Sequence, residues 1–206
     1  MRAFGATLDV VTSEGGKVTP GLIQTCLDKV RRLAGEPDTF WTDQFNNPDN
    51  RAGYRAMAEE TLETLGGRVD EYVMMVGTAG SFSGNAETFK AKVPNVRCIA
   101  GEPSTSQALT RPGPFTGHRI EGTGAGFVPG IYRDDLADAV VPVTDADAFA
   151  TARRLAREEG LFGGISSGAN VWIALQRARA LAPGARIVTT ICDSGLKYLR
   201  GDLYRS

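Results

Sequence analysis

Two stretches of this chain are built almost wholly from the smallest residues: Val76-Gly77-Thr78-Ala79-Gly80-Ser81-Phe82-Ser83-Gly84 and Gly163-Gly164-Ile165-Ser166-Ser167-Gly168-Ala169. The first follows the apolar run Tyr72-Val73-Met74-Met75-Val76, which predicts a buried strand turning into a helix. Tiny side chains at such a turn let several backbone N–H groups converge on one anion, where the helix N-terminus also favours negative charge. The chemistry this suits is the binding of a phosphate. The spacing, G-x-x-G-x-x-x-G, matches neither the lysine-bearing loop that cleaves nucleoside triphosphates nor the dinucleotide fingerprint G-x-G-x-x-G. A neutral cradle of amides with the Thr78 and Ser81 hydroxyls fits a phosphate monoester, each hydrogen bond to the charged group contributing about 1.5–3 kcal/mol. Taken alone, the same loop is also compatible with close strand-to-helix packing and nothing more. In the second stretch, Ser166 is placed to offer a neutral hydroxyl to a ring nitrogen, whereas a carboxylate there would keep that nitrogen protonated. Capping of the next helix by Ser166 or Ser167 explains the same residues.

Other chemistries find less support. His118 is the only histidine, which excludes a Ser-His-Asp triad or a multi-histidine metal site within one chain, and it reads as a loop residue rather than a base. Cys26, Cys98 and Cys192 are odd in number and widely spaced, so neither a disulfide framework nor a zinc knuckle is suggested. Cys192 reads as a buried strand-end cysteine. No metal site is expected. A formal net charge of -1, without blocks of lysine or arginine, argues against nucleic acid and membrane surfaces as partners and for a small molecule. No apolar run approaches the ~20 residues that span a bilayer, and the free thiols fit a reducing compartment, so a cytoplasmic location is expected.

The elements that must position these loops follow from the pattern. A chain of 206 residues, 42% hydrophobic, is long enough for one substantial core or one domain with part of another. Thr7–Thr12 is β-rich. Thr19-Pro20 opens a helix whose apolar residues recur at helical spacing to Gly35, and a second helix is expected from near Arg51 to Leu65. Strand Tyr72–Val76, a helix from about Gly84 to Lys92 and strand Val96–Ala100 come next, then a Gly/Pro-rich stretch from Glu102 to Arg133. Strand Val140–Val143 leads to Thr144 and Asp147, which resemble a capping box for a helix ending at Gly160; helix Ala169–Leu181 and strand Arg186–Cys192 close the series. Strands separated by helices need crossovers, so the expected class is α/β with a doubly wound, mostly parallel sheet, and ligands lie beyond the carboxyl ends of its strands. The opening Met1-Arg2-Ala3-Phe4-Gly5-Ala6 reads as the tail of a helix with a glycine stop.

Taken in order, the motifs resemble those of the cysteine synthase (O-acetylserine sulfhydrylase) and cystathionine β-synthase family of fold-type II, tryptophan synthase β-like, pyridoxal-phosphate enzymes. The matching segments are Phe4-Gly5-Ala6, Glu14-Gly15, Gln44-Phe45-Asn46-Asn47-Pro48-Asp49-Asn50, Gly77-Thr78-Ala79-Gly80-Ser81 and Glu102-Pro103. They continue with His118-Arg119-Ile120-Glu121-Gly122-Thr123-Gly124-Ala125-Gly126-Phe127-Val128-Pro129, Thr151-Ala152-Arg153-Arg154-Leu155, Gly164-Ile165-Ser166-Ser167-Gly168-Ala169, and Asp193-Ser194-Gly195 with Tyr198-Leu199. The resemblance implies pyridoxal 5′-phosphate as cofactor, with Gly77, Thr78, Ala79, Gly80 and Ser81 holding its phosphate, Ser166 facing the pyridine nitrogen, and Asp193 bordering the pocket. It further implies that Gly122, Thr123, Gly124 and Ala125 lie beneath the bound substrate and that Gln44 meets the substrate carboxylate. The implied organisation is the C-terminal part of a small domain, residues 1–43, followed by a large cofactor-binding domain, residues 44–206. An amino-acid substrate, a homodimer and, for some relatives, a docked serine acetyltransferase are the implied partners.

The family's Schiff-base lysine belongs to an S-x-K segment that these residues do not contain; Lys17, Lys29, Lys90, Lys92 and Lys197 all lie outside such a motif and are expected to face solvent, so no catalytic residue is assigned. Arg51 to Glu60 replaces the family's H-x-x-T-T-G-P-E, and Ala79 and Ser81 stand where glycine and threonine are commoner. The implied reaction is β-replacement on O-acetylserine or a related O-activated serine, sulfide giving L-cysteine. The alternatives are β-elimination, as in a cysteine desulfhydrase, and a catalytically inactive, truncated remnant of the fold.

Overall fold

The apolar run Tyr72-Val73-Met74-Met75, with side chains alternating between two faces, makes the first strand, β1 (Glu71–Met75), a buried inner strand of a four-stranded sheet in the computed structural model, which describes residues 1–13, 15, 19–114 and 116–205. Its neighbours are β2 (Arg97–Pro103) on one side, which pairs in turn with β3 (Ala139–Val143), and β4 (Ile187–Val188) on the other. All three pairings are parallel, in register Tyr72 to Cys98, Ala100 to Val140 and Tyr72 to Val188. Helices α1 (Pro20–Leu33), α2 (Pro48–Ala52) and α3 (Arg55–Thr64) precede the sheet. Parallel neighbours need crossovers: α4 (Gly80–Lys92) connects β1 to β2, the 104–138 connection with a 3-10 turn at Asp134–Leu136 leads from β2 to β3, and α5 (Asp145–Glu159) and α6 (Ile165–Ala178) connect β3 to β4.

The period-2 alternation of β1 divides the core between two faces. Tyr72 and Met74 join Phe82 and Phe89 of α4 and Leu62 of α3 on one side; Val73 and Met75 join Phe149 and Ala152 of α5 and Ile173 of α6 on the other. Helices on both faces of a parallel sheet are the expected doubly wound α/β arrangement. Each large side chain buried this way stabilises the fold by about 1.5–3 kcal/mol. At the amino end of β1, Glu71 is fully buried and its carboxylate is held by the Arg177 guanidinium of α6 through Nε at 2.9 Å and Nη2 at 2.6 Å.

Helix ends follow their sequence signals. Thr19 caps α1, accepting from Leu22 N–H ahead of Pro20, and Thr144 caps α5, accepting from Asp147 N–H at 3.0 Å, with Gly160 ending that helix at φ 69°. Gly5 closes a 3-10 turn, Arg2–Phe4, at φ 83°.

Several expectations are corrected. Thr7–Thr12 joins none of the four strands; β propensity is realised only beside a strand that accepts the ladder, and none of the four lies alongside. The single helix expected over Arg51–Leu65 is two, broken at Gly53-Tyr54. Helices α4 and α6 each begin four residues earlier than expected, inside the small-residue runs, because packing against the sheet outweighs the low helix propensity of glycine and serine. The last strand pairs over two residues instead of seven, since side chains take over the hydrogen bonding beyond Val188: Thr189 Oγ1 donates to Val73 O at 2.9 Å, Asn170 Oδ1 of α6 accepts from Met75 N–H at 2.7 Å, and Asn170 Nδ2 donates to Thr190 O at 2.8 Å. Glu14 and Lys17, singled out in the sequence, lie outside the described residues.

Candidate functional site

At the carboxyl edge of the sheet, where β1 and β4 part company, a cavity of about 260 Å³ opens between the turn after β1, the N-terminus of α6, the 121–123 loop and the segment after β4. The turn after β1 can approach the 121–123 loop closely only because residue 77 lacks a side chain: a Cβ there would enter the van der Waals shell of the Gly122 carbonyl oxygen. Ala79 takes the left-handed conformation at φ 74°, which turns the chain into α4 and costs an L-residue about 1–2 kcal/mol. As the first turn of α4 has no internal acceptors for its N–H groups, those of Ser81 and Phe82, with those of Thr78 and Ala79 ahead of them, donate to none of the described residues; Gly80 N–H meets Thr78 Oγ1 at 3.3 Å.

Gln44 and the turn after β1 are joined by Asn50 at the start of α2. Its Nδ2 donates to Gln44 O at 2.7 Å and to Thr78 Oγ1 at 3.0 Å, while Gly80 packs on its side-chain amide. The 118–124 loop is sewn in from the opposite side. Gly124 N–H donates to Val76 O at 3.0 Å, and its carbonyl lies 3.1 Å from the donating Ser106 hydroxyl and 3.0 Å from His118 Nε2. Burial pushes the His118 imidazole below its usual range, against the Gly124 hydrogen bond and the Asp145 charge. His118 is indeed a loop residue, and buried.

The second small-residue run brings Ser166 to the opposite wall. The N-cap of α6 is Gly164, so neither serine caps the helix. Ser167 Oγ instead accepts from Cys192 N–H at 2.9 Å, and Ser166, 6% exposed, lines the cavity beside Cys192. Cys192 is neither buried nor in a strand, which corrects that expectation: β4 has ended at Val188 and the chain here follows the cavity wall. Although Cys192 is open to the cavity, the protein packed around its thiol disfavours the thiolate and raises it, with the Ser166 hydroxyl opposing.

Charge is confined to one rim of the cavity. Tyr198 donates to Asp193 Oδ2 at 2.8 Å, leaving Asp193 Oδ1 buried and without a partner among the described residues. Lys197 Nζ stands 3.0 Å from Glu121 Oε2 and 3.5 Å from Asp193 Oδ2. Partial burial disfavours its charge, yet Glu121 and Tyr198 hold the ammonium above its usual range. Lys197 thus faces solvent as expected and also borders the site. Lys29, Lys90 and Lys92 are ion-paired to Asp9, Asp138 and Glu59, and Lys90 is half-buried rather than free in solvent.

Of the residues singled out in the sequence, the structure gathers Gly77, Thr78, Ala79, Ser81, Gly122, Thr123, Ser166 and Asp193 around this cavity. Gly80, Gly124 and Ala125 are not among its lining residues, and neither is Gln44, which is exposed. Tyr54, Glu121, Cys192 and Lys197 also line it and were not foreseen as site residues. Tyr54 carried a faint signal, since it sits in the stretch that departs from the family's pattern. A second cavity, of about 420 Å³, lies between α1 and the Trp41–Asn46 and Phe127–Gly130 segments, where Phe45 and Phe127 meet edge-to-face with centroids 5.0 Å apart. Among the described residues no cluster of metal-ligating side chains occurs, and no helix is long and apolar enough to cross a membrane.

Fold and site together define an α/β protein with a cavity at a break in a parallel sheet, lined by a turn whose N–H groups meet no acceptor among the described residues and by a buried serine hydroxyl. Comparison with known proteins names the group: the family model for pyridoxal-phosphate dependent enzymes matches residues 1–193, and the chain belongs to that family. It is 35% identical over 208 residues to a cysteine synthase of Staphylococcus aureus (strain Mu50 / ATCC 700699), an alignment covering 99% of this chain and 64% of that relative. Among solved structures it is similar to an O-acetylserine dependent cystathionine β-synthase from Helicobacter pylori, with TM-score 0.88 and 34% identity over 99% of this chain and 65% of that one. It is also similar to a hydrogen sulfide-producing enzyme from Fusobacterium nucleatum, with TM-score 0.86 and 37% identity over 96% and 66% of the two chains. The chain therefore spans about 64% of the length of the curated cysteine synthase it matches.

The residues present fit the family's cofactor. Four N–H groups of the turn meet no acceptor among the described residues, a Cβ at Gly77 or Gly80 would collide with Gly122 or Asn50, and the buried Ser166 hydroxyl lines the same cavity.

Proposed function

We propose that this chain binds pyridoxal 5′-phosphate in the cavity at the carboxyl edge of the sheet and serves β-replacement on an O-activated serine, a C–O bond breaking and a C–S bond to sulfide forming to give L-cysteine. The observation that carries the reading is the set of N–H groups at Thr78, Ala79, Ser81 and Phe82, which donate to none of the described residues and open on the same cavity as Ser166.

Bound there, the cofactor supplies an electron sink for charge developing at the substrate α-carbon. The chain's own residues do the holding. The Thr78 and Ser81 hydroxyls and the four amides grip the phosphate, and their alignment with the α4 N-terminus adds about 0.3–1 kcal/mol. Ser166 offers a neutral hydroxyl to the ring nitrogen, so no carboxylate forces that nitrogen to stay protonated. Gly122 to Ala125, braced by His118 and Ser106, form the floor under the amino acid, and Gln44 is the residue assigned to its carboxylate. Residues 1–43 act as part of a small domain and residues 44–206 as the large one, and the working assembly is a homodimer.

Similarity to the hydrogen sulfide-producing enzyme supports a second reading, β-elimination of cysteine in the same pocket. Titration of the protein with pyridoxal 5′-phosphate and, separately, with pyridoxal tests the site. Clear preference for the phosphorylated form is expected, and equal affinity refutes the cradle. Incubation of the cofactor-loaded protein with O-acetylserine and sulfide, or with cysteine, then separates the reactions: sulfide consumption marks replacement and sulfide release marks elimination.

A further inference from the structure

We infer that Asn50 is a positioning residue that sets Thr78 as a proton donor into the cavity. This rests on the cradle reading above and assigns a role to a residue outside the turn. The orientation of the Asn50 amide is fixed by its neighbour: Gln44 O only accepts, so the amide atom 2.7 Å from it is the nitrogen. The second proton of that nitrogen is directed at Thr78 Oγ1, 3.0 Å away. Gly80 N–H, which can only donate, approaches the same oxygen at 3.3 Å. Thr78 Oγ1 therefore spends both lone pairs as an acceptor, and the one role left to the hydroxyl is to give its own proton.

None of the described residues takes that proton, and Thr78 lines the cavity. The hydroxyl is thus polarised toward an anion before any ligand arrives, and two donors pulling on its oxygen strengthen the bond it gives. A ligand group that needed to donate to Thr78 would find no lone pair. The same amide fastens the Gln44 backbone to the turn after β1. Nothing in the local sequence around Thr78 announces this, since the two residues are 28 apart.

The test uses the full chain and two probes, pyridoxal 5′-phosphate and pyridoxal, which differ only in the phosphate. Asn50→Leu keeps the size and removes the donor; Thr78→Val removes the hydroxyl. Each is expected to weaken pyridoxal 5′-phosphate about 10- to 100-fold, the range for a lost hydrogen bond to a charged group, while pyridoxal affinity stays put. Because Asn50 acts through Thr78, the double variant should be no weaker than Thr78→Val within about twofold. Losses that multiply in the double variant, or an equal loss for both probes, overturn the assignment and leave Asn50 a packing residue. Should Asn50→Leu not fold, Asn50→Asp keeps the shape and takes the Thr78 proton for itself: the ratio of the two affinities must then fall at least 10-fold, and an unchanged ratio overturns the assignment. Wild-type protein that shows no preference for the phosphorylated probe refutes the cradle and this inference together. A wild-type preference that survives in the Asn50 variants refutes the inference alone.

Discussion

Gly77→Ala puts the closest approach in the site to a direct test. A Cβ at residue 77 would collide with the Gly122 carbonyl oxygen and stand 3.3 Å from its carbon, and both partners are backbone, so no side chain can swing aside. Relief requires the 121–124 loop to retreat from the end of β1. That loop is tied there by the 3.0 Å bond from Gly124 N–H to Val76 O and behind by His118 and Ser106. Forcing one methyl into a packed contact costs about 1–3 kcal/mol. Stretching a backbone hydrogen bond adds about 0.5–1.5 kcal/mol. The expected destabilisation is about 2–4 kcal/mol, which for a chain of this size lowers Tm by about 4–16 °C. Thermal melts followed by circular dichroism measure it, with Gly113→Ala as the control, since the nearest atom to a Cβ there is 3.9 Å away. A Gly77→Ala melt within about 2 °C of wild type would mean the two backbones are not in contact and the cavity wall is misplaced.

Three further outcomes are expected. Glu71→Ala leaves the Arg177 guanidinium unpaired beside the core and should cost about 3–5 kcal/mol in urea denaturation, whereas replacing both residues by leucine should restore most of that; equal losses for single and double variants would contradict the pairing. Burial pushes the Cys98 thiol up to about 12, so at pH 8 it is protonated and should resist a thiol reagent until the protein unfolds; labelling of Cys98 in the native protein would count against the β2 assignment. Asp138 is drawn down in spite of its partial burial, by Lys90 and by the Cys98 N–H. Its contribution to stability is complete above the unfolded carboxyl value of about 3.9 and is lost as pH falls through the lower folded value, so Asp138→Asn should flatten the acid limb of a stability–pH curve.

The elements most legible in the sequence were those whose cause is local. β1 follows from its apolar run, and both ends of α5 follow from Thr144 and Gly160, whose side-chain hydroxyl and φ of 69° act within one turn. Thr7–Thr12 and the last strand misled because a strand exists only with a neighbour, and pairing partners far along the chain leave no local trace. The starts of α4 and α6 were hidden for a related reason: glycine and serine look like loop residues, and it is the sheet beneath them that enforces the helix. Within the site, the small-residue turns and Ser166 stood out because their function needs the absence of side chains or a particular one. Tyr54, Glu121 and Lys197 did not, since an ordinary surface tyrosine or ion pair becomes part of a cavity only through its place in the fold.

Asn170 and Thr189 carry one consequence beyond their hydrogen bonds. By answering the Met75 N–H, Val73 C=O and Thr190 C=O with side chains, they remove the incentive for β1 and β4 to zip together past Tyr72 and Val188. The slot is a seam left unsewn, with side chains standing in for the ladder at these three main-chain groups. A ligand that enters it breaks no ladder and waits for no strand to peel away, so the crevice should keep its width whether empty or filled.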